Sequence, residues 1–232
     1  MKDYNRACEL APTEANYFYQ RSATQFALHR NAEGAADIET ALKLNPDLVD
    51  AYLVRAQINI GRHATADAVN DLDAVDRLAP KESAIRSRLA GLYVHAGNLQ
   101  SAVTQLDLWI AHHSEDAHLP VALNDRCWNR AVLNQALDRA LDDCNKAIRL
   151  QPRSAAFLDS RGYVHLRRKE FDQAIADYDA ALKLDPKGAW SLYCRGIAKT
   201  HAGKAADGAK DMSAAVAQDA HVTEYAKRYD VE

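Results

Sequence analysis

The sequence predicts an all-α chain of stacked antiparallel helix pairs, and three observations carry that prediction. Five prolines, Pro12, Pro46, Pro80, Pro152 and Pro186, recur at intervals of 34, 34, 72 and 34. Apolar positions keep the same period: Ala7, Ala41, Val75, Ala147 and Ala181 stand five residues before a proline, and Leu10, Leu44, Leu78, Leu150 and Leu184 two before. Alanine is abundant while glycine and proline are scarce, which favours helix because Ala loses no side-chain entropy there.

The gap of 72 exceeds two periods by four residues. The position it skips is Ser114, and Trp109 takes the small residue's place in that repeat. Full repeats are therefore expected at 15–48, 49–82, 83–116, 121–154, 155–188 and 189–222. Residues 1–14 read as the end of an incomplete repeat, so the chain is expected to begin inside one. Residues 223–232 read as a capping helix, because Val222, Tyr225, Ala226 and Tyr229 follow an i, i+3, i+4, i+7 pattern. Two helices of about 14 residues cannot bury their own apolar face, so each unit relies on its neighbours. The proline ends the second helix and opens the next unit.

Gly162-Tyr163, Ala174, Tyr178, Ala181 and Pro186 carry the spaced small and aromatic positions of a known repeat. Here the chain resembles the tetratricopeptide repeat family, in a bacterial-type member, over essentially its whole length. The resemblance implies a right-handed superhelical solenoid with a concave face lined by the first helix of each repeat, and a protein or peptide as partner.

In an antiparallel hairpin, residues equidistant from the turn face each other. Small residues pair this way: Ser22 with Gly34, Ala56 with Ala68, Ala90 with Ala102, Gly162 with Ala174, Gly196 with Gly208. Just before the first member of four of these pairs stand Arg21, Arg55, Arg161 and Arg195. Each is answered on the second helix, at a constant spacing, by Asp37, Asp71, Asp177 and Asp211. A ladder of structural Arg–Asp bridges is expected across these hairpins. Leu89 and Gln105 replace both charges in the third repeat.

The fourth repeat departs from the pattern. It follows an insertion ending in Pro120, has Cys127 where four repeats have arginine, and has Trp128 where the others have a small residue. Cys127 and Cys144 have their midpoint near the expected turn, which puts them at one height on facing helices. They pair either as a disulfide or as two reduced, packed thiols; a disulfide implies an oxidising compartment, periplasm or cell envelope. Cys8 and Cys194 are expected to be free. The insertion is also a candidate joint, at 112–120, between two stiffer halves.

The net charge of −3 argues against a dedicated nucleic-acid binder, and no stretch reaches the roughly 18 apolar residues that membrane insertion requires. The first residues lack the apolar core of a signal peptide. His112, His113 and His118, with Glu115 and Asp116, form the one tight set of candidate metal ligands, read as a solvated loop with no metal. No phosphate loop, nucleophile elbow or zinc-protease motif is present, so neither an enzyme nor a cofactor is expected.

By the family's register, the partner-binding face carries Tyr19, Arg88, Arg126, Asn129, Tyr163, Trp190 and Tyr193, aromatic and arginine side chains being the usual anchors of interfaces. The family's carboxylate clamp for chaperone tails is not expected, since its positions hold Tyr19, Ala23, Leu53, Ser87 and Gly91. The leading expectation is a non-catalytic scaffold that holds a peptide or helix in the groove. The alternatives are an accessory domain of a larger enzyme or cell-envelope protein, and a self-assembling scaffold that forms homo-oligomers through the incomplete first repeat.

Overall fold

The computed structural model describes residues 1–231, and among them every regular element is a helix. The last residue of the expected capping segment, Glu232, lies outside the described residues. The chain divides into two compact units, Met1–Gln105 and Leu106–Glu232. The division falls inside a helix, α7 (Leu99–His112), and not at 112–120. Asp107, on the second half of that helix, is tied to Arg126 and Arg130 further along the chain, which gives this half to the second unit.

The first unit contains α1 (Lys2–Leu10), α2 (Ala15–Ala27), α3 (Asn31–Leu44), α4 (Val49–Gly61), α5 (Thr65–Leu78) and α6 (Ile85–His95). Helices α2 and α3 pack as one hairpin and α4 and α5 as another. Ile38, Leu42 and Ala51 form a buried cluster against which Tyr19, Phe26 and Leu48 pack. Gly34 is required by that packing: a β-carbon there would come within 2.7 Å of the Phe26 ring.

The second unit contains α8 (Leu119–Val132), α9 (Leu137–Leu150), α10 (Ala155–Arg167), α11 (Phe171–Leu184), α12 (Ala189–His201), α13 (Ala205–Gln218) and α14 (Val222–Arg228). Pro120 sits in the first turn of α8, where its missing N–H costs nothing. The core here is continuous, with Cys127, Cys144, Tyr163, Tyr178 and Cys194 fully buried. Where α12 crosses α13 the backbones touch, and a β-carbon on Gly196 would stand 2.7 Å from the Gly208 carbonyl oxygen.

Each of the six hairpins has a left-handed residue at the same place, His29, His63, Gly97, Asn134, Lys169 and Gly203, and the fourth has a second, Ala136. The next amide reaches back five residues, from Arg30 to Gln25, Ala64 to Asn59, Asn98 to Tyr93, Gln135 to Arg130, Glu170 to His165 and Lys204 to Lys199, at 2.8–3.0 Å. This helix stop satisfies carbonyls that the ended helix leaves open. Glycine occupies the left-handed position in only two of the six turns, Gly97 and Gly203. Side chains hold it elsewhere at a cost of about 1 kcal/mol each.

Candidate functional site

The arginines that share one register are fully committed to the scaffold. Arg21, Arg161 and Arg195 grip Asp37, Asp177 and Asp211 with Nε and Nη2, at 2.6–2.9 Å. Arg55 grips Asp71 in the same way at 2.7–3.1 Å. The aspartates are buried and the arginines partly so, and hydrogen bonding by the carboxylates holds the guanidinium pKa values above normal. The remaining nitrogen, Nη1, turns to a residue of the preceding second helix: Asn5 at 3.5 Å, Glu39 at 2.8 Å, Asn145 at 2.9 Å and Asp179 at 2.6 Å. Each arginine thus links two successive second helices.

The fourth repeat has the same link one residue earlier. Arg126 holds Asp143 at 2.6 and 2.8 Å and Asp107 at 2.7 Å. Arg130 holds the same two carboxylates at 2.7 and 2.8 Å. Arg126, expected on the binding face, is therefore a structural ion pair in this structure. The signal was present in the sequence: Asp143 stands only one position beyond the spacing of the other four pairs. In the third repeat, where Leu89 and Gln105 replace the pair, the buried Arg86 takes over: Nη1 donates to Gln105 Oε1 at 2.6 Å and Nε to the Pro80 carbonyl at 3.0 Å. Sequence spacing gave no pointer to Arg86.

Cys127 and Cys144 stand at disulfide distance, with Cα atoms 5.6 Å apart, and Cys8 and Cys194 are unpaired and buried. Burial pushes the Cys194 thiol well above its ordinary pKa, which leaves it protonated and inert. In the loop before α8, the His113 ring stacks on Trp109 at 4.7 Å and bonds to its carbonyl at 2.8 Å, while His118 pairs with Asp116.

In the first unit, the face built by successive first helices is open. The Tyr19 ring roots in the Ile38–Leu42 cluster, and its hydroxyl is pushed up in pKa by burial and then by Asp50, with Arg88 opposing. Tyr19 from α2, Asp50 from α4 and Arg88 from α6 therefore share one field, and Asp50 and Arg88 are exposed. Arg88 forms no ion pair within 4.0 Å among the described residues.

In the second unit, the corresponding face is covered. Trp128, Tyr163, Trp190 and Tyr229 pack edge to face, or tilted between Trp128 and Tyr163, with centroids 5.0–6.1 Å apart. Tyr163, expected on the binding face, has no exposed surface and donates its hydroxyl to the Tyr229 carbonyl at 2.7 Å. Trp190 and Tyr193 are half-buried against Leu192, Ala215 and Val222. Asn129 is buried with its side-chain amide nitrogen unpartnered. Trp128, Trp190, Tyr225 and Tyr229 line an almost wholly apolar pocket of about 280 Å³. Beneath Trp190, burial lifts the Asp159 carboxyl to about 7, against the opposing hydrogen bond from the Ser191 hydroxyl. Sequence reasoning missed Tyr229 as a partner of Trp128, because the two lie far apart in the chain and no local period connects them.

Paired helices with small-residue crossings, a shared helix stop and a register of Arg–Asp links define a helical repeat protein of the tetratricopeptide class. Residues 60–119 match the family model of the tetratricopeptide repeat and residues 162–200 that of a TPR repeat. These two stretches are tetratricopeptide repeats. In fold it is similar to YrrB, a TPR protein with an unusual peptide-binding site, at 16% identity and TM-score 0.70, over 83% of this chain and 97% of that one. It is also similar to PilW, a widely conserved type IV pilus biogenesis factor, at 16% identity and TM-score 0.65, over 88% and 92% of the two chains. The MamA protein aligns at 17% identity and TM-score 0.58, over 76% and 94%. No curated protein matches the chain in sequence. No helix among the described residues is long and apolar enough to cross a membrane.

Proposed function

We propose that the chain is a non-catalytic scaffold that holds a segment of another protein, an extended peptide or a helix, against the faces formed by its first helices. The observation that carries this reading is the Tyr19–Asp50–Arg88 set on the first unit. Three successive repeats each contribute one side chain to a common face, with an aromatic anchor, a carboxylate and an uncommitted guanidinium. Such a set suits the alternating donors and acceptors of a peptide backbone together with one acidic side chain. The fold supports an interaction scaffold in general, and the choice of ligand rests on these residues. YrrB, which shares the fold, is described by its peptide-binding site. On the second unit, Trp190 and Tyr193 belong to that unit's own proposed face, while Asn129 is buried and Arg126 serves the ion-pair register.

The test is affinity capture from native lysate with the intact chain, Arg88→Ala and Tyr19→Ala, each checked for an unchanged thermal melt. Loss of one captured protein in both variants is the expected result. Capture unchanged in both would move the site away from this face.

A further inference from the structure

A helix that only caps a repeat stack buries one stripe on the last hairpin and ends. Val222 and Ala226 of α14 do this, being 1% and 2% exposed. The chain then continues past the helix and runs back to earlier repeats. Asp230 takes a left-handed conformation (φ 54°), and the Val231 amide closes the turn on the Ala226 carbonyl at 2.9 Å. From there each residue of 229–231 meets a separate feature of the second unit. The Tyr229 ring stands edge to face against Trp128 of α8 at 5.4 Å and Trp190 of α12 at 5.7 Å. Its carbonyl accepts from the Tyr163 hydroxyl at 2.7 Å. Arg167 Nη1 donates to the Asp230 carbonyl at 2.9 Å and to the Asp230 carboxylate at 3.2 Å. Val231 is 5% exposed and belongs to the unit's core cluster.

This is how a groove reads a peptide: successive carbonyls are held by fixed donors, and alternate side chains enter apolar sites. The attachment is also modest. Helix α14 has seven residues, too few to be stable by itself, and is joined to α13 through the short stretch after Gln218. The outward face of the same place stays accessible, since Tyr225 is 44% exposed at the mouth of the aromatic pocket.

We propose that Tyr229–Val231 occupies a peptide-binding site of the second unit in cis, and that this site accepts in trans a segment of the same chemistry: an aromatic, an acidic and an aliphatic residue in succession. The aromatic residue fills the edge-to-face position between Trp128 and Trp190. Arg167 reads the acidic residue and its carbonyl, and the aliphatic residue enters the position of Val231. A trans ligand must displace the chain's own segment, so the intact protein binds it more weakly than its intrinsic affinity by the fraction of time the site is open. This deepens the scaffold reading for the second unit. Its test reads Arg167, Tyr229 and Val231, all on the second unit, so its failure and the failure of capture through Arg88 are separate results.

The probe is a fluorescent peptide of residues 222–231, titrated into the full chain and into the full chain carrying Tyr229→Ala and Val231→Ser. Binding at least tenfold tighter to the double variant is expected, and adding Arg167→Ala to that variant reverses it at least tenfold. A peptide with alanine in place of its own tyrosine and valine at these two positions binds neither chain. Equal affinity for both folded chains, or equal binding of the substituted peptide, overturns the proposal. Where the double variant loses its cooperative melt, hydrogen exchange on the unsubstituted chain decides. Excess peptide must accelerate exchange of the Tyr229 and Val231 amides, and unchanged rates overturn the proposal as well.

Discussion

The two units are built by one rule and differ in what they leave open. In the first, the face of successive first helices is charged and free, with Arg88 outside any ion pair. In the second, the same kind of face is aromatic and covered by residues 229–231, and its fourth repeat carries two arginines on two aspartates together with a cysteine pair at bonding distance. The contrast separates two kinds of position. Arg–Asp links hold the helices of four repeats together at one spacing and those of the fourth repeat at a spacing one residue longer. First-helix faces take no part in that, so each unit's sequence is free to specialise there.

The largest expected effect sharpens the contrast directly. Asp143→Ala leaves Arg126 and Arg130 without their shared buried partner and lowers stability by about 4 kcal/mol. Asp37→Ala frees a single, more exposed arginine and costs about half as much, about 2 kcal/mol, both read from urea unfolding. Equal losses would remove the distinction between the units. Next, reducing the Cys127–Cys144 pair, or replacing both cysteines with serine, lowers the stability of the second unit by about 3 kcal/mol through loop closure. Thiol titration of the denatured, unreduced protein then finds only Cys8 and Cys194; four reactive thiols would mean the pair is not oxidised.

Asp159 gives the second unit a pH dependence. Its folded pKa, about 7, lies above the value near 3.9 of an unfolded aspartate, so the folded protein holds a proton that the unfolded chain has released. The stability this proton supplies is complete below about pH 4 and is lost as pH rises through about 7. Asp159→Asn removes that slope and raises stability at pH 8 by about 1 kcal/mol, seen as parallel melting curves at pH 5 and pH 8. The smallest effect concerns a turn. The fourth repeat's hairpin alone holds two left-handed residues, Asn134 and Ala136. Ala136→Gly raises stability by about 1 kcal/mol, and His63→Gly in the first unit does the same.

The fold was legible because its causes are local and periodic. Proline at a fixed period, Leu two before it and a small residue at each crossing are repeated statements of one geometry. The Arg21–Asp37 spacing can be written down from the sequence for the same reason, and the structure holds these side chains at 2.7 Å. Arg126 was misread because the turn between α8 and α9 holds one residue more than the turn between α10 and α11, which moves the first helix by one position, so that Cys127 occupied the place where an arginine was sought. Less of the candidate site could be foreseen. The field shared by Tyr19, Asp50 and Arg88 follows from register, but the contact between Tyr163 and Tyr229 spans nearly two repeats, and no periodic argument reaches that far.

The second reach of each linking arginine has a consequence for how such a chain can grow. Arg161 turns back to Asn145, and Asp179, one full period after Asn145, meets Arg195. A tandem duplication of 155–188 would therefore present its own Asp179 to the arginine of its copy. The joint is written into the module itself, and lengthening the protein by whole modules needs no new fitting residue.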